Sequence, residues 1–172
     1  RNQIVKGNAT LMDTQGISGT GSSGQARGIT NTSGTGTVVG GTNGANFART
    51  HITQFESTLG AAGGNLGNAK FITNFAVNAY GKRTEFSSGS GRYLIESMPS
   101  WAWNNPATGK GAVTQIDQYQ AFLSATVPSN LTKGTSSSIC SAVIFGDTDL
   151  AKYMTFGGLQ IIVDPYSNAT TG

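Results

Sequence analysis

Charge is scarce in this chain. Only 11% of its 172 residues are Asp, Glu, Lys or Arg, less than half the roughly 25% of an ordinary soluble domain. So little charge points to long uncharged loops and to a surface whose main partner is not water. A single cysteine, Cys140, excludes an internal disulfide and any multi-cysteine zinc site. A single histidine, His51, without a Gly-x-Ser-x-Gly elbow, provides no material for a hydrolase triad. No apolar run approaches the roughly 18 residues needed to span a bilayer, and no charged-then-apolar leader opens the chain, so no membrane partner is expected. The 11 basic residues exceed the 8 acidic ones by only three and are scattered from Arg1 to Lys152. Their densest pair, Lys82-Arg83, has Glu85 beside it, so no basic stripe tracks a phosphate backbone and no specific nucleic-acid binding by this segment is expected.

Glycine is what the chain has in excess, at 25 positions, beside a hydrophobic fraction of 37%. That fraction is enough for a core, and the length fits one domain. Ile4, Val5, Leu11 and Met12 share one helical face, so the chain opens in the last turns of a helix weakened by Gly7 and Asn8. It starts without methionine, at Arg1-Asn2-Gln3, and stops at Thr171-Gly172 just after a strong strand, which reads as a piece excised from a longer chain. Thr14 to Ala45 is nearly all Gly, Ser, Thr and Asn, and predicts loop or short edge strand. Asn46 offers an N-cap for a helix on which Ala48, Ile52, Phe55, Leu59 and Ala62 recur until Gly63-Gly64. Ala69 to Thr73 reads as a strand, Asn74 as the cap of a second helix through about Arg83, and Phe86 to Gly111 as a long loop. Tyr119 to Ala125 alternates like a strand. Ile139 to Phe145 reads as a buried strand with Cys140 an inert packed thiol, Asp147 as the cap of a short helix with Leu150 and Tyr153, and Leu159 to Val163 as a further strand. Strands and helices thus alternate after residue 46 in an α/β or α+β manner, after a glycine-rich first third.

Each apparent chemical motif has a plainer explanation. Gly19-Thr20-Gly21-Ser22-Ser23-Gly24 matches the dinucleotide fingerprint letter for letter, but no hydrophobic strand precedes it and turn formers follow it, so no cofactor is expected. His51 lies beside the apolar face of its helix and reads as a boundary side chain. Asp147-Thr148-Asp149 could ligate a metal through oxygen, but a helix start after Gly146 calls for the same Asp147. Four glycosylation sequons, at Asn8, Asn31, Asn130 and Asn168, are coincidences in a chain so rich in Asn, Ser and Thr. Trp101 and Trp103, in a loop with proline and asparagine, are either tucked onto the core or offered to a partner. The residues alone thus favour a structural or interaction role over an enzyme.

Several stretches resemble the major capsid proteins of tailed bacteriophages with the Hong Kong ninety-seven fold. The run from Gly16 to Ile29 looks like that family's glycine-rich loop after its long spine helix, with Ala26 where proline is common. Ala142-Val143-Ile144-Phe145-Gly146-Asp147, Gly157-Gly158-Leu159 and Val163-Asp164-Pro165-Tyr166 resemble in register its phenylalanine-glycine-aspartate, glycine-glycine-leucine and aspartate-proline-tyrosine stretch, and Gly91-Arg92-Tyr93-Leu94 the start of its axial-domain loop. The resemblance implies the end of the spine helix and a glycine-rich peripheral part at residues 1–45. It implies an axial domain at 46–138 with its long loop at 86–111, and a return segment at 139–172. It further implies an α+β fold with a central mixed sheet flanked by helices and long glycine-rich loops, and no catalysis, no cofactor and no metal. The partners would be identical subunits in pentamers and hexamers that enclose DNA, in a virion capsid assembled in the bacterial cytoplasm. Met98, Trp101, Trp103, Arg92 and Tyr93 would be the subunit-interface candidates. A bacterial nanocompartment shell of the same fold, or a secreted module binding a glycan or protein, are the alternatives.

Overall fold

A computed structural model describes residues 2–98 and 113–148 of the chain. Helix α1 spans Asn2–Ser18 and runs further than the apolar spacing predicts. The hydroxyls of Thr10, Thr14 and Ser18 donate to the carbonyls four residues back, at 3.0, 2.8 and 3.1 Å, so these poor helix formers bond within the helix rather than ending it. The glycine-rich segment then folds back over the helix end instead of forming an edge strand. Thr30 Oγ1 donates to the Ile17 carbonyl at 2.9 Å, and Asn31 Nδ2 to those of Ser18 and Gly19, satisfying carbonyls left over at the end of α1. The fingerprint glycines sit in this turn, after a helix and not before one, with Gly21 and Gly24 at φ of +74° and +76°.

Helix α2 covers Arg49–Ala61. Its N-cap is Ala48 and not Asn46, and the missing capping oxygen is offset from the other side, where His51 Nδ1 accepts the Ala48 N–H at 3.1 Å. The helix ends as the Gly63-Gly64 pair predicts. Gly63 adopts φ +75°, with Gly64 N–H bonded to Leu59 and Gly63 N–H to Gly60, the paired closure of a Schellman motif. Strand β1, Ala69–Thr73, and helix α3, Phe75–Gly81, follow as expected, with Asn74 Oδ1 accepting the Val77 N–H at 3.0 Å.

The expected long loop after Phe86 contains a strand, β2 at Ile95–Met98, which pairs antiparallel with β3 at Val113–Ile116. Asp117 and Gln118 turn β3 into β4, Tyr119–Leu123, which runs parallel to β1. Strand β5 begins later than the apolar run suggests, at Val143, and ends at Asp147, antiparallel to β1 with Ala69 opposite Asp147. The strand expected from Ile139 therefore loses its first half: Ile139 is 77% exposed, and Cys140 is half-buried in an isolated bridge to Leu131 instead of packed in the core. Asp147 closes a strand. The helix expected around Leu150 and Tyr153, and the strand from Leu159 to Val163, lie outside the described residues.

The five strands form one mixed sheet in the order β2-β3-β4-β1-β5. Period-two alternation puts Phe71, Ala121 and Phe145 in one row across β1, β4 and β5, and α2 covers that face. Phe71, Tyr119, Phe145 and Phe55 pack ring against ring there, with centroids 4.4 to 6.0 Å apart. Helix α3 comes so close to β2 that a side chain at Gly81 would overlap Ile95. Helix α1 is tied to the segment after β4 by Ser124 Oγ and Thr126 Oγ1, which both donate to Asp13 Oδ2, at 2.9 and 2.7 Å.

Candidate interaction surface

Two of the five sequence-derived interface candidates, Arg92 and Tyr93, lie side by side on a hairpin between α3 and β2. Phe86 N–H bonds to Arg92 and Leu94 N–H to Thr84, both at 2.8 Å, while Gly89 and Gly91 take positive φ to turn the tip. Glu85 caps the tip by accepting the Gly89 N–H at 2.8 Å. Leu94 and Ile95 go into the core, which leaves Arg92 and Tyr93 in solvent. Met98 is the last residue of β2, opposite Val113. Trp101 and Trp103 lie outside the described residues.

The hairpin also builds a cationic cluster that the sequence does not announce. The Phe86 ring packs against the core and carries two guanidinium groups over it: the Arg49 carbon stands 4.3 Å from the ring centroid and the Arg92 carbon 5.2 Å. Arg92 also faces Glu96 at 3.6 Å, one helical-style step of four residues away but here along the approach to β2. Arg49 and Arg92 are distant in the chain, and no local pattern links either of them to Phe86. Two turns further along α2, Glu56 Oε1 accepts the Tyr119 hydroxyl at 2.9 Å and Gln118 Nε2 at 3.3 Å. Burial, and then the bond to Glu56, push the Tyr119 phenol above its ordinary pKa.

Behind these lies an open groove of about 700 Å³ between the glycine-rich segment, α2, α3 and the approach to β5. Val39, Phe47, Leu131 and Ile139 line it, together with His51 and Cys140. Neither of the last two is arranged as a nucleophile with its base. His51 Nδ1 is occupied by the Ala48 N–H, and its ring stacks on Phe47 at 6.3 Å. The Cys140 thiol lies 3.1 Å from Ser136 Oγ. Among the described residues no three His, Cys, Asp or Glu side chains gather as a metal site, and no helix is long and apolar enough to cross a membrane.

An α+β domain with polar loops, an exposed aromatic and basic hairpin and an unassembled set of reactive side chains is compatible with a subunit of a larger structure. The sequence profile of the phage capsid family matches residues 1–172. The chain belongs to the phage capsid family. No curated protein and no solved structure matches it. This capsid protein is thus a structural component of a bacteriophage virion, and its five-stranded mixed sheet with helices is the α+β architecture the resemblance implies.

Proposed function

We propose that this capsid protein is the repeating subunit of an icosahedral phage or prophage shell. Identical copies cluster into pentamers and hexamers that enclose DNA, and the subunit performs no catalysis of its own. The match to the phage capsid family along the whole chain carries this reading. The chemistry supports it. A charge content of 11% lets loops be buried against identical neighbours without stranding unpaired ions, a penalty that grows with every copy around a ring. In this reading residues 46–138 form the axial part of the subunit in the tailed-phage fold. Residues 1–45 contribute the end of the spine helix and a peripheral loop, and 139–172 return towards the periphery. Arg92, Tyr93, Met98, Trp101 and Trp103 would face neighbouring subunits.

The test is to express the full gene product in bacteria and examine the lysate by sedimentation and electron microscopy. Rings or closed particles of the product are the expected result. A species that stays monomeric at every concentration and salt would overturn the reading.

A further inference from the structure

Helix α2 presents opposite charges at two levels of one side. Arg49 opens the helix and Glu56 follows seven residues later, which at 3.6 residues per turn returns to the same side about 10 Å further along. At the first level Arg49 is exposed and held over the Phe86 ring, beside Arg92. Arg92 has Glu96, whereas Arg49 has no carboxylate among the described residues. A guanidinium placed over an aromatic face has part of its rotamer entropy already removed and keeps its edge donors for a carboxylate fork. At the second level Glu56 is held by Tyr119 and Gln118, and Asp117 stands in the same turn, fixed at φ +53°. Neither acid has an ion pair among the described residues.

We propose that these two levels are the complementary halves of one subunit contact, in which Arg49 of one copy pairs with Asp117 of the next, with Glu56 behind it. The partner is therefore a second copy of this chain, which rests on the shell-subunit reading above. Because both levels lie on one side of α2, two copies related by a two-fold axis with their helices antiparallel pair Arg49 with Asp117 twice, an isologous contact. Its charge pairing fixes the register and suppresses the parallel approach, which would put like charges together.

A charge swap in the full chain tests this, with assembly followed by sedimentation from low to high salt. Arg49→Glu and Asp117→Lys should each raise the concentration for half-assembly by about tenfold or more, because each places like charges together. The double variant should return to within about threefold of wild type, and wild-type assembly should weaken as salt rises. Arg49→Glu puts an acid in the first turn of α2, which suits the helix dipole, so its fold is retained. Asp117→Asn keeps the left-handed backbone tolerance and should weaken assembly several-fold by loss of charge alone. Single variants that assemble like wild type, or a double variant no better than the singles, would overturn this pairing while leaving the shell reading intact. Wild type that never assembles would overturn both.

Discussion

Asn74 does two jobs with one side chain. Its Oδ1 caps α3, and its Nδ2 donates to the Pro128 carbonyl at 3.0 Å, tying the helix start to the segment after β4, with the residue 3% exposed. Asn74→Ala should therefore cost about 2 kcal/mol, more than a cap alone, since the bond to the Pro128 carbonyl goes with the cap, although that carbonyl keeps the Ala142 N–H. Asn74→Asp, which can still cap but cannot donate to Pro128, should fall between the two in a urea titration. Gly28 is fixed by space instead of dihedral angle: a Cβ there would lie 2.6 Å from the Ile17 carbonyl oxygen. Gly28→Ala should cost about 1–3 kcal/mol and lower the melting temperature, whereas the equally glycine-rich but open Gly34 is limited only by its φ of +83°. Such differences among glycines are invisible in the sequence, where all 25 look alike.

At the scale of elements, what was legible follows from periodicity strong enough to stand alone. Helix α2 shows three large apolar residues, Ile52, Phe55 and Leu59, at three- and four-residue steps, and β4 alternates, so both are readable. Strands β2 and β3 are four residues each, with polar Glu96, Ser97, Thr114 and Gln115 supplying as much of the pattern as the apolar positions. Their pairing with each other, not their composition, makes them strands. The run from Ile139 misleads for the opposite reason: it is apolar without being buried, because a turn and a bridge to Leu131 occupy its first half. In the interaction surface, Arg92 and Tyr93 come from family resemblance, while Arg49 and Glu56 need the fold to bring them to Phe86 and Tyr119. The link between β4 and α2 through Tyr119 and Glu56 has its own signature. The phenol is raised above 10.0, so the folded state favours the neutral form. That contribution is whole below the ordinary value and is lost as pH climbs through the raised one. Melting followed from about pH 8 to 12 should show a steep alkaline loss of stability that Tyr119→Phe makes shallower. An unchanged slope in the variant would assign the loss to other groups.

For the whole molecule, the decisive feature is that β1 stands between chain segments far apart in sequence. It bonds in parallel to β4 and antiparallel to β5, and Phe71 at its centre is fully buried against rings from α2, β4 and β5. Neither β4 nor β5 can leave β1 without exposing a face of Phe71, so these three strands should unfold in a single step although they come from distant parts of the chain. Phe71→Ala removes the ring on which the others stack and should cost about 3–5 kcal/mol, enough to unfold a domain of ordinary stability. Phe71→Leu keeps much of the volume and should lose less, with the same single transition. Hydrogen exchange on wild type decides whether the sheet is one unit. Amides of β1, β4 and β5 should be protected to the same free energy, and all should fall together in Phe71→Leu. If β5 exchanged well before β4, β5 would be an independently opening flap that leaves β1 and β4 folded.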